Sequence, residues 1–261
     1  MLPSSFDVIV GVHSTAEAIS NPKREWFELV TTDEGMQDLI ARTKLDKKLL
    51  PQEKLRKLNS HALQEEAKAR YSELGVEFQR VPSGVFLVAT PLESYDLSWI
   101  YARLEGGGKV LKLLALDQVT DIHNGAAMMR TAAFYGIDAI IISSKGSFGT
   151  GPSFNRIASG ATEHIAVIKC ASLSRALLKL QELGVRCIGL SEHATLSDLA
   201  SIREKSKNNE TVCLVLGAED VGLSHAVMRV VNETMSIKPQ GKIKSLNVSV
   251  AAAIAMEKIF G

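Results

Sequence analysis

The segment "VLKLLALDQVTDIHNGAAMMRTAAFYGIDAIIIS", from Val110 to Ser143, is the clearest indication of the fold class. Two short runs of Leu, Ile and Ala flank a segment rich in small and apolar residues, which predicts a strand, a helix and a second strand. Further on, the chain alternates again between runs of Ile, Val and Leu and helical segments. Mostly apolar strands that are separated by helices favour a parallel sheet with helices on both faces. The sequence therefore predicts an α/β fold.

The segments beyond Ser143 are short enough to assign one by one. The predicted strands are "HIAVIKC", "VRCIGL", "TVCLVLG" and "ETMSI", and the predicted helices are "SFNRIASGA", "LSRALLKLQELG", "LSHAVMRVV" and the C-terminal "VSVAAAIAMEKIF". Residues 110–261 are predicted to form one unit on this basis. Residues 1–90 are predicted to form a smaller unit, and residues 91–109 a linker or connecting hairpin between the two.

The N-terminal unit has strand-like and helical segments of its own. "FDVIVG", "WFELVT", "VEFQRV" and "GVFLVAT" are predicted strands, and "STAEAIS" is a predicted helix. Leu residues from Leu50 onward form a helical stripe, which predicts a helix from there to Leu74 with an interruption near Asn59. Between Arg42 and Lys57 seven basic residues stand against two acidic ones, an excess of five. Such a run is either a solvated helix face or a phosphate-facing surface.

Composition limits the possible classes of protein. The chain has 261 residues, 46% hydrophobic and 23% charged, with a net charge of +1, as in ordinary soluble globular proteins. No apolar run approaches the length of a membrane span and the N-terminus lacks the pattern of a signal peptide, so a cytoplasmic location is expected. Cys170, Cys187 and Cys213 form no CxxC pair and the histidines no HxxxH pair. Buried reduced thiols and no metal site are expected.

Polar residues follow three of the predicted parallel strands, where ligands of such sheets bind. Asn124 is expected to begin the helix after the first strand, and Arg130 lies close to two helical turns later, so both can face the same side. The alternative is a capped helix with a surface arginine. Because the helix is otherwise rich in Ala and Met, Arg130 is expected to lie against a buried face.

The other two strand ends carry acidic, amide and hydroxyl groups. "LVLG" leads into Ala218, Glu219 and Asp220, where the alternative is a tight turn with solvated acids. "ETMSI" leads into a loop with a Pro and a Gly and then into Ser245 and Asn247, either of which could cap the last helix. No nucleophile has a credible base nearby, and no GxGxxG follows a strand. Such groups bind and orient a substrate.

The segments "NGAAMMRTA", "LVLGAEDVGLS" and "IKPQGKIKSLNVSVA" resemble the three motifs of the SpoU (TrmH-type) RNA ribose 2′-O-methyltransferases, in the family's order and spacing. The resemblance covers Lys112 to Phe260. The N-terminal "GVHSTAEAI" and the strands after it resemble, more loosely, the small α/β RNA-binding domain of many members, which is similar to ribosomal protein L30e. This arrangement is typical of the 23S rRNA guanosine 2′-O-methyltransferases.

The resemblance implies a fold and a cofactor. The C-terminal domain of the SPOUT superfamily contains a deep trefoil knot, which periodicity cannot predict because knots are almost absent from proteins. S-adenosylmethionine binds in the knot, and members form homodimers through the knot region. The implied cofactor-binding residues are Leu216, Gly217, Ala218, Ile237, Gly241 and Leu246.

The resemblance also implies the reaction: methyl transfer to a ribose 2′-OH of RNA. The implied active-site residues are Asn124, Arg130, Glu219, Ser245 and Asn247. In the family, the matching arginine is assigned the role of accepting or steering the proton of the ribose 2′-OH. Because a guanidinium stays protonated in proteins, binding a phosphate or the developing alkoxide suits Arg130 better. The N-terminal unit favours rRNA as the substrate. The alternatives are a tRNA methyltransferase, an RNA-binding protein without catalysis, and an unrelated α/β enzyme that binds a nucleotide.

Two positions depart from the family's pattern. Asn124 is followed by Gly125 and Ala126 where the family usually has Asn-x-Gly, and Ile237 is followed by Lys238 where the family has Ile-Pro. Both departures concern loop shape and remove none of the implied active-site groups.

Overall fold

The chain packs into two units. The computed structural model describes residues 5–105, 110–149, 151–192, 194 and 210–261. Unit 1 comprises Met1–Glu93 and Thr150–Glu163, and unit 2 comprises Ser94–Gly149 and His164–Gly261. Residues 150–163 therefore belong to unit 1, although in sequence they lie between two strands of unit 2. The predicted division into an RNA-binding unit, a linker and a catalytic unit stays a prediction.

Unit 1 contains a sheet of four strands among its described residues. In chain order its first elements are β1 (Asp7–Val10), α1 (Val12–Ser20), β2 (Trp26–Thr31), α2 (Asp33–Thr43), β3 (Leu55–Lys57), α3 (Ser60–Glu73) and β4 (Val85–Ala89). The strand order is β1-β4-β2-β3, with β4 antiparallel to both neighbours and β2 parallel to β3. Side chains alternate between the faces of a strand. Ile9 accordingly joins the core under α1 and α2, whereas Val8 and Val10 join the core under α3.

Unit 2 contains a parallel sheet of six strands in the part of the chain that the structure describes. The strands are β5 (Lys112–Leu116), β6 (Ala139–Ser143), β7 (Ala166–Cys170), β8 (Arg186–Leu190), β9 (Val212–Leu216) and β10 (Glu233–Met235). Their order is β10-β8-β9-β5-β6-β7, and every neighbouring pair is parallel. The predicted α/β class and all six predicted strands are confirmed. The inner strands are mostly apolar runs buried on both faces. The edge strands are less buried, since Lys169 in β7 is exposed and Glu233 and Thr234 in β10 are half-buried.

Helices cover both faces of this sheet. They are α4 (Ser98–Glu105), α5 (Ile122–Phe134), α7 (Leu173–Glu182), α8 (His225–Met228) and α9 (Val248–Phe260), while α6 (Pro152–Ala158) belongs to unit 1. Leu113, Ile141 and Val215 share one buried cluster with residues of α4, α7 and α8. The intervening strand residues, such as Leu114 and Leu214, are also buried. Helix α9 packs against both β9 and α5. The carboxyl ends of all six strands lie at one edge of the sheet.

Three local predictions in unit 1 are wrong or incomplete. The helix expected from Leu50 begins only at Ser60, where Asn59 caps it by accepting from the Ala62 amide at 2.9 Å. Before Asn59, Leu50 lies between two short 3-10 turns, Leu55 begins β3, which pairs with β2, and Leu58 follows β3. "VEFQRV" forms no strand, and α2 was not expected.

The predicted linker, residues 91–109, also differs from expectation. Residues 98–105 form helix α4 rather than a hairpin, and Ile100 is fully buried in the core of unit 2. The Gly-rich end of the predicted linker, residues 106–109, lies outside the described residues. None of the described helices is both long and apolar enough to span a bilayer. The predicted knot and the likeness of unit 1 to L30e stay predictions.

Candidate active site

The loops after β5 and β9 are bonded to each other. These two strands run side by side in register and end together at Leu116 and Leu216. The amide of Asp117 donates to the Leu216 carbonyl at 2.8 Å, and its carboxylate accepts from the Ser224 amide at 2.7 Å. Asp117 is buried, so this charge-assisted bond inside the protein fixes one loop on the other. Asp117 is not among the site residues predicted from the sequence, although an acidic residue directly after an apolar strand can indicate a position near a site.

A tight turn after β9 presents Glu219 and Asp220 at its tip. Ala218 and Gly222 exchange both backbone hydrogen bonds, at 3.1 and 2.9 Å. A Cβ at Gly217 would lie 2.1 Å from the carbonyl carbon of Gly222, a distance that no side chain tolerates. The tight turn that was the alternative at this strand end is present, and it holds the Glu219 carboxylate out from the strand.

Glu219, Asn124 and Asn247 form a hydrogen-bonded cluster, here called the amide–carboxylate cluster. Asn124 Nδ2 donates to Glu219 Oε2 at 3.0 Å, and Asn247 Nδ2 lies 3.3 Å from Glu219 Oε1. The same Asn247 Nδ2 is 3.0 Å from Asn124 Oδ1. One residue comes from each of the three predicted strand ends. The structure thus brings together side chains that are 28 to 123 positions apart in sequence.

Asn247 has a second task at the start of α9. Its Oδ1 accepts from the Ser249 amide at 2.9 Å, which caps the helix, while its Nδ2 belongs to the cluster. The carboxamide therefore uses its oxygen for folding and its nitrogen for the site. Of the two capping candidates at this position, Asn247 is the cap.

Asn124 does not begin its helix, contrary to expectation. Asp121 is the cap of α5, since its carboxylate accepts from the Asn124 amide at 2.7 Å. An Asp immediately before an apolar helix is a recognised start signal. With the cap supplied by Asp121, the side chain of Asn124 is left for Glu219. Gly125 is small because the ring of Phe148 would lie 2.5 Å from a Cβ there.

Arg130 lies on α5 but not against a buried face, so that expectation is wrong. Its side chain is exposed and makes no hydrogen bond or ion pair with any described residue. Six residues are about 1.7 helical turns, so Arg130 and Asn124 leave the helix about 120° apart. The buried stripe of α5 consists of Gly125, Ala126, Met128, Met129 and Ala132, which leaves Arg130 with its charge in solvent.

A cavity of about 390 Å³ opens beside the loops after β8 and β10. It is lined by Leu190, Ser191, Glu192, Ala251 and residues 237–246. The predicted cofactor residues Ile237, Gly241 and Leu246 line it, and so does Ser245, which is exposed and lies outside the amide–carboxylate cluster. Leu216, Gly217 and Ala218 do not line it, and the backbone of Ala218 is already bonded to Gly222. Their role in binding a cofactor stays a prediction.

The three thiols are buried and free, as expected. Burial raises the pKa of Cys170. The hydrogen bond that the Cys213 thiol donates to Cys187, together with burial, raises the pKa of Cys213 well above its ordinary value, and the same bond lowers the pKa of Cys187. A protonated thiol is a poor nucleophile. Within the described residues no group of His, Cys, Asp and Glu is arranged to hold a metal ion.

The basic segment from Arg42 to Lys57 is partly used inside unit 1. Arg42, Arg56 and Lys57 each form ion pairs with acids of unit 1, and Lys54 Nζ donates to the Trp26 carbonyl at 2.7 Å. Lys44, Lys47 and Lys48, in the α2–β3 connection, show no such contact within the described part of the chain. The choice between a solvated face and a phosphate-binding surface therefore stays open for these three lysines.

Comparisons with known proteins agree with one another. The model of the SpoU rRNA Methylase family matches residues 112–257. A Synechocystis protein named as an uncharacterized tRNA/rRNA methyltransferase, slr0955, is 26% identical over 256 residues, or 98% of this chain and 62% of that protein. The 23S rRNA (guanosine-2′-O-)-methyltransferase RlmB of Acinetobacter baylyi is 37% identical over 145 residues, covering 55% of this chain and 57% of that enzyme. The aligned part thus spans about 60% of the length of these relatives.

Solved structures share the fold at low sequence identity. The SpoU methyltransferase AviRb of Streptomyces viridochromogenes superposes with a TM-score of 0.73 at 17% identity, covering 98% of this chain and 89% of that one. An RNA 2′-O ribose methyltransferase superposes with a TM-score of 0.69 at 19% identity, covering 98% and 88%. AviRb has also been solved in complex with AdoMet. At these identities the likeness shows the fold alone.

Proposed function

The chain belongs to the SpoU rRNA methylase family, and we propose that it transfers a methyl group from S-adenosylmethionine to a ribose 2′-OH of RNA. The proposed RNA is ribosomal, with a guanosine of 23S rRNA as the first candidate, because relatives that are 37% and 32% identical to this chain are named 23S rRNA (guanosine-2′-O-)-methyltransferases. The observation that supports this proposal best is the amide–carboxylate cluster. It lies at the same edge of the sheet as the cavity between the β8 and β10 loops.

The cavity suits S-adenosylmethionine in its chemistry. Leu190, Ile237 and Leu246 offer apolar surface to a base or a ribose, and Glu192 offers a carboxylate to a positively charged group. Bound there, this cofactor supplies a methyl group on a positively charged sulfur. Gly241 and its neighbours add backbone donors and acceptors, and the backbone at Leu216, Gly217 and Ala218 is proposed to complete the site.

The amide–carboxylate cluster is proposed to orient the RNA ribose. Glu219 accepts two amide hydrogens and has lone pairs left for a ribose hydroxyl. Asn124 and Asn247 fix the carboxylate on both oxygens, so its direction is set before substrate binds. Ser245, on the cavity wall, is proposed to donate or accept a hydrogen bond on the cofactor side. Holding the two reactants in line accounts for a large part of such an acceleration.

Arg130 is proposed to bind the phosphate next to the target ribose or the alkoxide that develops on its 2′ oxygen. Its guanidinium is exposed and uncommitted among the described residues, and it stays protonated at any working pH. A charge-assisted bond from such a group to a phosphate is strong and directional. Proton removal from the 2′-OH is left to solvent or to Glu219.

The remaining parts of the proposal follow the family resemblance. They are the trefoil knot, the homodimer through the knot region, a metal-independent reaction, an L30e-like RNA-binding role for unit 1, and a cytoplasmic location. A tRNA substrate and RNA binding without catalysis remain the alternatives, the first because slr0955 is named for both RNAs.

The test is a transfer assay with tritium-labelled S-adenosylmethionine and either unmodified 23S rRNA transcript or unmodified tRNA, without added metal. The RNA is digested and its 2′-O-methylnucleosides are separated. Label in a 2′-O-methylnucleoside of rRNA that is lost in Arg130→Ala supports the proposal. Label only in tRNA supports the first alternative. Cofactor binding without transfer to either RNA would support the non-catalytic one.

A further inference from the structure

A second groove, of about 510 Å³, lies in unit 2 between α4, the end of β7 and the start of α7. We call it the Lys169–Arg175 groove. Besides these two cations its polar lining comprises Asp96, Ser98, Tyr101 and Ser172. None of its residues belongs to the amide–carboxylate cluster or to the first cavity, and no implied active-site residue lines it.

The groove opens at the edge of the sheet where the carboxyl ends of the strands lie. Cys170, which lines it, is the last residue of β7, and β7 is the edge strand two places from β5. Neighbouring strands are about 4.8 Å apart, so the carboxyl ends of β5 and β7 are separated by about 10 Å. The loop after β6 lies between them and carries Lys145, which is exposed.

The cations of this edge are available for a ligand. Lys169 and Arg175 are exposed, and the side chain of neither makes a hydrogen bond or an ion pair with another described residue. Two other cations on the neighbouring helices α4 and α7 are occupied. Lys179, one turn along α7 from Arg175, is 2.8 Å from Glu182, and Arg103 stacks on Trp99 at 3.6 Å.

The acid at the groove has a structural partner. Asp96 accepts from both the amide and the hydroxyl of Ser98 ahead of α4, and these bonds lower its pKa. It therefore remains a carboxylate that offsets one of the two cations. Ser172 and Tyr101 add neutral hydroxyl groups, which can donate to phosphate oxygens.

We propose that the Lys169–Arg175 groove binds the phosphate backbone of the RNA, on the strand that passes from the amide–carboxylate cluster across the end of β6. This inference rests on the proposed function, which supplies RNA as the ligand. Arg175 bonds a phosphate with two parallel N–H groups, and Lys169 acts as a point charge. Phosphate contacts set the register of an RNA and carry no base specificity, so the groove aligns the ribose for transfer without choosing its base.

The test measures RNA binding and its salt dependence for Lys169→Ala/Arg175→Ala in the full chain, with unmodified 23S rRNA transcript as the probe. Each phosphate contact on single-stranded nucleic acid contributes about 0.7 to the slope of log K against log salt. The double variant should flatten that slope by about 1.4 and weaken binding about tenfold at moderate salt. In turnover, KM for RNA rises while kcat and the Kd for S-adenosylmethionine stay unchanged.

Two further variants make the result specific. Lys179→Ala removes one positive charge from the same helix, and it should change RNA binding less than twofold, because Lys179 already pairs with Glu182. Asp96→Asn keeps an oxygen that accepts from Ser98 and removes the negative charge, so it should tighten binding. A double variant with the slope and affinity of the wild type overturns the inference, as does an equal loss in Lys179→Ala. The groove is tested by binding and the proposed function by turnover, so the two can fail separately.

Discussion

At the scale of single residues, Asn247 separates a folding task from a functional one. Asn247→Ser keeps a side-chain oxygen for the cap of α9 and removes the amide that contacts Asn124 and Glu219. Ser is as good a cap as Asn, so the free energy of unfolding should stay within about 0.5 kcal/mol of wild type. We expect kcat to fall at least about tenfold, or about 1.4 kcal/mol in the barrier.

The matched variant is Asn247→Ala, which removes both functions. Loss of a cap costs about 1 kcal/mol of stability, so this variant should lose kcat and also unfold at a lower urea concentration. Urea unfolding and turnover, measured on both variants, separate the two roles. A serine variant with full kcat would contradict a functional role for the amide.

Glu219 offers a second test at the same scale. In Glu219→Gln only one of the two side-chain atoms can accept, so either Asn124 or Asn247 loses its partner. We expect kcat to fall about tenfold or more, while the Kd for S-adenosylmethionine changes less than twofold, because Glu219 does not line the cavity. The neighbouring Asp220→Asn is the control and should keep wild-type kcat. Equal effects in the two variants would show that only the net charge of the turn matters.

At the scale of elements, the bond between Asp117 and the Ser224 amide holds the β5 and β9 loops together. Ser224 has φ of −60°, close to that of proline, so Ser224→Pro removes the N–H donor at little backbone cost. Ser224→Ala keeps the N–H and loses only the weak 3.4 Å cap to Val227. We expect the proline variant, but not the alanine variant, to lose most of kcat through displacement of Glu219.

The Asp117 side of the same bond gives the complementary test. Asp117→Ala removes the acceptor and should match Ser224→Pro in turnover. Asp117→Asn keeps an accepting oxygen and should recover much of the activity, a rescue that a general loss of fold would not show. Turnover at saturating RNA and cofactor is the measurement. If the proline and alanine variants of Ser224 had the same kcat, the bond between Asp117 and the Ser224 amide would have no role in turnover.

The elements also show what the sequence can and cannot predict. The inner strands of unit 2 are predictable because burial on both faces makes each one a mostly apolar run, and the strand ends that carry Asn124 and Glu219 follow from that assignment. Asn247 follows the short edge strand β10, which is only partly buried. The predicted helix from Leu50 is wrong in its first part because Leu50, Leu55 and Leu58 lie beside 3-10 turns and in or next to a short strand, where their spacing over a few residues imitates that of a helix. Which side chains hydrogen-bond across the strand ends depends on loop geometry that no periodicity encodes.

At the scale of the whole molecule, the chain's order in sequence differs from its order in packing. Residues 150–163 follow β6 and were predicted to belong to the second unit, yet they pack in unit 1. Ser14 Oγ donates to the Asn155 carbonyl at 2.8 Å, across 141 positions. Contacts at such a separation leave no trace in local pattern, which is why sequence alone places α6 by its neighbours along the chain.

An ion pair also holds residues 150–163 in unit 1. Arg24 is buried and pairs with Glu163, at the end of that segment, and with Asp7 of β1. Its Nε also donates to the Thr90 carbonyl at 2.9 Å. Arg24→Ala leaves the carboxylate of Glu163 buried without its cation, and we expect a loss of about 3–5 kcal/mol in the free energy of unfolding. The exposed pair of Arg42 and Asp38 provides the control, since Arg42→Ala should cost at most about 1 kcal/mol.

A double-mutant cycle with Glu163→Ala tests the origin of that loss. If the cost of Arg24→Ala comes from the stranded carboxylate, removing Glu163 as well should recover part of it, whereas independent effects would add. Urea unfolding of the full-length chain, followed by far-UV circular dichroism, gives the four free energies. Additive losses, or a loss in Arg24→Ala no larger than that in Arg42→Ala, would mean that residues 150–163 are held in unit 1 by their apolar contacts rather than by this ion pair.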